Sequence, residues 1–224
     1  MKIAIHQPNY LPWCGYFSKM KSSDIFVFLD DVEISPGQSY VYRTKILTKN
    51  GPIWLSIPCH RSTSMLIKNV EIYNNGWNKK HLRSISESYR KTPFFDDFFP
   101  RLEKHYINPD KNLSLFNIKL IKEIIDYLSI DIEIKNSSEI DHSGKSDARL
   151  ISITKSIGAS TYLSGKGGMN YQHPDEFIKE GITLRILEYK PLSYPQVVEG
   201  FIPGLSIIDA IFNLGKNALK VLQY

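Results

Sequence analysis

The chain has 224 residues, of which 42% are hydrophobic and 23% charged, and its net charge is +5. This composition is ordinary for a globular protein with a substantial core, and the scattered lysines argue against a nucleic-acid binder. No apolar run approaches the length of a membrane span and the amino terminus has no signal-peptide core, so we expect a cytoplasmic protein. The two cysteines, Cys14 and Cys59, lack metal-ligand spacing and are expected to be free thiols.

The first seventeen residues are the most informative part of the chain. A short apolar run at 3–5 predicts a strand, and the segment HQPNYLPW at 6–13 predicts a loop at the carboxyl end of that strand. Ligands of open α/β sheets bind at this position. A purely structural turn rarely needs five flat polar or aromatic side chains so close together. We therefore favour a functional loop, and the alternative is a well-packed aromatic turn.

Further along the chain, helix and strand patterns mostly alternate. Besides the first strand, we predict strands at 24–29, 53–57, 131–134, 160–163 and 182–187, and helices at 15–21, 77–90, 112–128, 147–157 and 174–179. Turns are predicted at Pro36-Gly37 and at 49–51, and Ser206 with Asp209 predicts a capping-box-like start of a last helix. The β-α-β-loop-α-β order of the last third argues for parallel pairing.

These elements predict the fold class and the domain organisation. We expect an α/β protein with a Rossmann-like, mainly parallel sheet and a helical insertion in the middle of the chain. We expect one domain over 1–224, with the mostly helical insertion at about 76–128. The phenylalanine-rich patch at 94–99 is interpreted as core or as a helix–helix contact.

A second candidate loop follows the predicted strand at 160–163. It contains Ser164, Gly165 and Lys166, then two more glycines, and Tyr171 lies a few residues further on. Glycines let the backbone approach a ligand closely and direct several amides at one anion, and Lys166 would add a positive charge. The spacing matches neither a P-loop nor the dinucleotide-binding fingerprint. The alternative is a flexible turn between a strand and a helix.

Three other places carry candidate binding residues. Asp30 and Asp31 end a predicted strand, and one carboxylate could bind a sugar hydroxyl, a metal or an amine; a plain turn cap is the alternative. Arg43 could contact phosphate, although a solvated strand face explains it equally well. Gln196 could face a ligand, although a structural role of its segment is favoured.

The first loop supplies the candidate catalytic residues. His6 ends the first strand and is our candidate general base, with Gln7 and Asn9 as orienting donors. Tyr10 and Trp13 could stack on a base or a sugar. No pair of histidines has metal-ligand spacing, so no structural zinc is predicted, and no G-x-S-x-G elbow is present.

Together these segments resemble the WbqC-like family of bacterial proteins. The matching pieces run in order through nearly the whole chain: HQPNYLPW at 6–13 with 15–17, Asp30-Asp31, Arg43, Trp54-Leu55 with Pro58, Trp77, Tyr89, 162–165 with Tyr171, Tyr194 with Gln196, and 205–209. Families of this kind occur in gene clusters for O-antigen and other surface polysaccharides. The resemblance therefore implies acylation or aminoacylation of an amino sugar on a nucleotide carrier.

Three functions remain open on the sequence. The leading one is a transferase that acts on a nucleotide-linked amino sugar; the second is a non-catalytic protein that binds a nucleotide sugar. The third is a nucleotidylyltransferase-like enzyme, although Gly15-Tyr16 stands where such enzymes carry Gly-His. The expected partner is a small-molecule substrate, a nucleotide sugar; a homodimer is compatible with the sequence, and no cofactor is identified. The transferase hypothesis requires that the two candidate loops meet in one cleft.

Overall fold

A parallel five-stranded sheet forms the centre of the protein. The computed structural model describes residues 1–35, 37–60, 62 and 64–223, so Pro36 of the predicted Pro36-Gly37 turn lies outside the described residues. The strands are β1 (Lys2–His6), β2 (Ile25–Phe28), β3 (Arg43–Thr48), β4 (Gly51–Ser56), β5 (Glu133–Asn136), β6 (Thr161–Gly165) and β7 (Thr183–Leu187). The helices are α1 (Cys14–Lys21), α2 (Trp77–Tyr89), α3 (Phe95–Ile107), α4 (Leu113–Leu128), α5 (Ser146–Ser156), α6 (Pro174–Lys179) and α7 (Ile207–Leu214).

The strand order confirms the predicted α/β class. The sheet runs β5-β2-β1-β6-β7 and its neighbouring strands all pair in parallel. Numbered by their order along the chain within this sheet, the strands follow the order 3-2-1-4-5 of a doubly wound fold. The chain leaves β1 toward one edge of the sheet and later returns to its other side. The two directions part between β1 and β6, which is the topological switch point.

A crevice opens at this switch point because β1 and β6 stop pairing early. The β1–β6 ladder ends at the Ala4–Leu163 pair, whereas the β1–β2 ladder continues to His6 and Phe28. Beyond Ala4, the carboxyl ends of β1 and β6 therefore diverge. Open sheets of this topology bind their ligands in that crevice.

The two faces of β1 bury different parts of the protein. Ile3 and Ile5 point to one face, where they pack in a cluster with residues of α5 and α6, including Ile153 and Phe177. Ala4 points to the other face, toward the larger cluster formed with α1, α7 and the helices inserted between β2 and β5. This alternation explains why β1 reads as a continuous apolar run, since a central parallel strand is buried on both faces.

The inserted region consists of the antiparallel β3–β4 hairpin followed by α2, α3 and α4. The sequence analysis missed α3, whose interior contains Pro100; proline lacks the N–H that an uninterrupted helical ladder needs. The phenylalanines of α3 hold it in place: Phe98 is fully buried and Phe95 stacks on Phe99 with ring centroids 4.5 Å apart.

None of the helices in the described part of the chain combines the length and apolar character that a membrane crossing requires.

Candidate functional site

Residues of both candidate loops line one cavity of about 370 Å³ at the switch point, which we call the switch-point cavity. The first loop and α1 contribute His6, Trp13, Gly15, Tyr16 and Lys19. The second loop contributes its residues Ser164–Gly168 together with Tyr171. The crevice created by the strand order is thus walled by the two segments that the sequence singled out.

Hydrogen bonds to distant elements hold the first loop in its conformation. Asn117 of α4 donates from Nδ2 to the carbonyl of Pro8 over 2.9 Å, and Thr44 of β3 donates from Oγ1 to the carbonyl of Leu11 over 2.8 Å. Leu11 has a φ of 39°, a left-handed conformation that is uncommon for a residue other than glycine. The loop is therefore positioned by the inserted region, which explains why it needs no regular secondary structure.

His6 lies at the end of β1 as a neutral imidazole. Its Nδ1 is 3.2 Å from the carbonyl oxygen of Gln7. Because a carbonyl only accepts, Nδ1 carries the proton in this bond and Nε2 keeps its lone pair. Burial, reinforced by the charge of Lys19, lowers the pKa of His6 to about 3. The ring packs edge-on against Tyr16, with centroids 4.8 Å apart.

Lys19 is a charged site residue that the sequence analysis missed. Its side chain belongs to the buried face of α1, with only 5% of the residue exposed, and it lines the switch-point cavity. Its Nζ donates to the carbonyl of Ile5 over 3.1 Å, at the point where β1 has left β6. Burial lowers the pKa of Lys19 to about 7. The sequence did contain a signal for this position. Lys19 follows Tyr16 by three residues and Phe17 by two, on a helix whose aromatic face is buried.

The glycines of the second loop have two different roles. At Gly165 and Gly167 nothing lies within 4 Å of the point that a Cβ would occupy, so the backbone is accessible there. At Gly168 a Cβ would overlap Ser164 Oγ and Gln172 Oε1, so this glycine is required by packing. Ser164 is buried, while Lys166 is 69% exposed along its side chain and pairs with Glu188 over 2.6 Å.

The electrostatics of the switch-point cavity favour an anion. Among the described residues that line it, two are lysines and none is acidic. The first turn of α1 also has no acidic residue, and Trp13 at its N-cap makes no side-chain capping bond. The amino end of a helix carries partial positive charge and attracts phosphate groups. Lys19 and the start of α1 therefore form an electropositive wall opposite the glycine loop.

A second opening of about 590 Å³ adjoins the first and shares Ile5, His6, Tyr162 and Tyr171 with it. Gln7 and Asp31 line this opening. Although burial acts in the opposite direction, hydrogen bonds from Ser137 and His142 hold the pKa of Asp31 below its usual range. His142 Nε2 lies 2.8 Å from Asp31 Oδ2, so the carboxylate is ionised and already paired inside the protein.

Three predicted site residues lie inside the protein and not at the cavity. Tyr10 is fully buried and its hydroxyl bonds His81 Nδ1 at 2.9 Å, so the stacking role expected for it is corrected to a core role. Asn9 is 3% exposed and lines neither opening. Asp30 accepts hydrogen bonds from Ser138 N and Oγ, which join the end of β2 to the segment after β5.

Arg43 and Gln196 also lie away from the switch-point cavity. The guanidinium of Arg43 lies 4.1 Å from the ring centroid of Trp54 on the β3–β4 hairpin and does not line the switch-point cavity, so the phosphate contact considered for it is not located there. Gln196 donates from Nε2 to Asp209 Oδ2 over 2.9 Å and accepts from the amide of Ile202 over 2.7 Å. Its amide thus organises the segment before α7.

The side chain of Asp209 does not form the capping box that the sequence predicted for the last helix. Ser206 caps α7 by accepting from the amide of Ile208, but Asp209 turns away from the cap and accepts from Gln196 and from Tyr194 Oη at 2.8 Å.

The described residues contain no group of three histidine, cysteine or acidic side chains that could hold a metal ion.

The fold and this cavity define a doubly wound α/β protein with an anion-suited crevice at its switch point. The chain belongs to the WbqC-like protein family, whose model matches residues 7–221. It is 30% identical over 229 aligned residues to the uncharacterized protein Rv1507c of Mycobacterium tuberculosis, an alignment that covers 100% of this chain and 98% of that protein. No solved structure matches the chain.

Proposed function

We propose that this protein is a cytoplasmic transferase that acylates or aminoacylates a nucleotide-linked amino sugar for O-antigen or another surface polysaccharide. The observation that carries the proposal is the switch-point cavity, which bears Lys19 and no acidic side chain among its described lining residues. A nucleoside diphosphate brings at least two negative charges and a flat base. Lys19 and the start of α1 suit the diphosphate, and the exposed ring of Tyr171 suits stacking on the base or the sugar.

The reaction needs a proton acceptor. The sugar amine attacks the acyl carbon of an activated donor such as a thioester, the bond from that carbon to the carrier breaks, and the amine nitrogen loses one proton. A base works best when its pKa lies near the working pH. The pKa of about 3 makes His6 a weak acceptor, whereas the pKa of about 7 leaves a large fraction of Lys19 neutral. We therefore assign the base role to the neutral form of Lys19, whose N–H groups donate to the diphosphate while its lone pair accepts the proton, and an orienting role to Nε2 of His6.

Calorimetric titration tests the binding part of the proposal. UDP-glucosamine is expected to bind more tightly than free glucosamine, because the diphosphate meets the lysine and the helix end. Lys19→Met is expected to weaken UDP-glucosamine binding about 10- to 100-fold, the effect of losing a hydrogen bond to a charged group. Lys166→Met is the matched control, since that lysine is exposed and paired with Glu188; a loss below threefold is expected. Equal binding of both sugars would contradict the proposal.

Mass spectrometry tests the transfer. Wild-type protein incubated with UDP-glucosamine and acetyl- or hexanoyl-coenzyme A is expected to add the acyl mass to the sugar nucleotide, and Lys19→Met is expected to lose this product. Binding without any product would favour the second candidate function, a non-catalytic nucleotide-sugar binding protein. The low pKa of His6 is the observation that favours that candidate, because it makes the group first expected to act as base a weak proton acceptor.

A further inference from the structure

A third cavity of about 310 Å³ lies directly beside the switch-point cavity, and we call it the side cavity. Trp13 and Tyr189 line both cavities, so the two cavities meet at these side chains. The side cavity is otherwise bounded by the start of α1 and by the segments around 191–194 and 201–205. Among its described lining residues none is charged, in contrast to the two lysines of its neighbour.

The hydroxyl groups of the two side-cavity tyrosines are bonded to other parts of the protein. The hydroxyl of Tyr194 donates to Asp209, and that of Tyr189 donates to the carbonyl of Val221 over 3.0 Å. Burial raises the pKa of the Cys14 thiol to about 12, so the thiol is neutral and behaves as a small apolar group. The wall that remains consists of aromatic rings such as that of Phe201, prolines, and aliphatic side chains such as that of Leu205. Such a wall favours an apolar ligand and offers little to a charged or hydroxylated one.

We propose that the side cavity binds the apolar chain of the transferred acyl group while the diphosphate of the nucleotide sugar that receives it occupies the switch-point cavity. The contact of the two cavities across Trp13 and Tyr189 carries this inference, because it places an uncharged compartment beside a cationic one. The identity of the chain as the transferred acyl group rests on the proposed function. The preference for an apolar chain rests on the lining residues alone. The protein therefore selects medium-length aliphatic acyl groups over polar aminoacyl groups.

Straight-chain carboxylates test the apolar preference without any nucleotide. Butanoate, hexanoate and octanoate carry an anionic head for the switch-point cavity and a chain of increasing length for the side cavity. In calorimetric titrations of the wild-type chain, affinity is expected to rise about fourfold for each added methylene, as for burial of a CH₂ group. If octanoate binds no more tightly than butanoate, the side cavity does not take apolar chains and the inference is wrong.

Two variants test whether the gain in affinity with chain length arises in the side cavity. Cys14→Met adds volume inside it and is expected to abolish the gain from butanoate to octanoate. Phe201→Ala removes part of its wall and is expected to weaken octanoate binding at least tenfold with little change for butanoate. Phe99→Ala is the matched control, because Phe99 is also half-buried but stacks on Phe95 in α3. Thermal unfolding of each variant shows that it is folded; a loss of octanoate binding in Phe99→Ala equal to that in Phe201→Ala would overturn the inference.

The proposed function can fail independently of this result. If the carboxylate series shows the chain-length dependence but UDP-glucosamine does not bind, the side cavity stands and the nucleotide-sugar assignment falls. If UDP-glucosamine binds and octanoate shows no advantage over butanoate, the proposed function stands and the acyl-chain inference falls. Hexanoyl-coenzyme A transferring faster than glycyl donors in the mass-spectrometric assay would support the selection of aliphatic groups; the reverse order would refute it.

Discussion

Lys19 and Asp209 are both ionisable side chains almost completely removed from solvent, and the protein treats them in opposite ways. Asp209 is fully buried, lines none of the three cavities described above, and receives hydrogen bonds from Tyr194 and Gln196. Lys19 reaches the carbonyl of Ile5 and otherwise faces a cavity wide enough for a ligand. Burial shifts both groups toward their neutral forms, raising the pKa of Asp209 and lowering that of Lys19.

The difference shows that burial of a charge does not by itself mark a site. A buried group whose partners all come from the protein joins elements together, as Asp209 joins α7 to the segment at 194–196. A buried group that lies against open space is held ready for a partner from outside. The comparison therefore predicts that changing Asp209 alters stability and leaves ligand binding intact, whereas changing Lys19 alters binding and improves stability.

Replacing Lys19 is the strongest way to break this comparison. Lys19→Met is expected to raise the free energy of unfolding at pH 6 by on the order of 5 kcal/mol, since the pKa falls from 10.5 to about 7 on folding and each pKa unit corresponds to about 1.4 kcal/mol. Between pH 7 and pH 10.5 Lys19 is protonated in the unfolded chain and neutral in the folded chain. The stability of the wild type therefore rises with pH, and the stability difference between Lys19→Met and wild type decreases. Urea unfolding at pH 6, 8 and 10 measures it. A variant less stable than wild type at pH 6 would show that the ammonium is structural.

Removing the Asp209 carboxylate is the complementary change. Asp209→Ala leaves the Tyr194 hydroxyl and the Gln196 amide without their acceptor, and it is expected to lower the free energy of unfolding by about 2 kcal/mol. Asp209→Asn is the control, because it keeps an acceptor oxygen and removes the buried charge, and it is expected to lie within about 1 kcal/mol of wild type. Urea unfolding at pH 7 and UDP titration measure both variants. A loss of UDP binding in Asp209→Asn would remove the distinction between the two sites.

The smallest expected effect concerns the acid side of the pH profile. His6 has a folded pKa of about 3 and an ordinary value of 6.5, so the unfolded chain binds its proton first as the pH falls. Its contribution is absent above pH 6.5 and lowers stability progressively below it. His6→Gln is expected to be more stable than wild type by roughly 1 kcal/mol at pH 5.5, relative to their difference at pH 7.5.

The buried His81 provides the reference for this measurement. Its pKa is also lowered by burial, to about 4, so acid destabilisation persists in part in the His6 variant. Unfolding curves at both pH values for wild type and His6→Gln measure the difference. Identical pH dependence in the two proteins would mean that His6 is hydrated and titrates normally.

Most secondary structure followed from local patterns. The apolar stripe of α4 predicted that helix close to its observed bounds, and so did the proline at the start of α6 and the glycine after its end. These signals act over a few residues. Helix α3 was not predicted, because its stability comes from the packing of Phe98 in the core and Pro100 interrupts the local helix pattern. The side-chain bond of Asp209 also escaped, because its partners lie 13 and 15 positions away along the chain.

The sequence by itself determined the α/β class, the loop at the carboxyl end of β1 and the glycine loop after β6, since each depends on neighbours along the chain. Tertiary structure alone decided which side chains of those loops face the crevice: it turned Tyr10 inward to His81, placed Arg43 on the hairpin and brought Lys19 to the cavity wall. The physical reason is that orientation and desolvation depend on elements distant in sequence. Such contacts form only when β1, β6 and the inserted helices pack together.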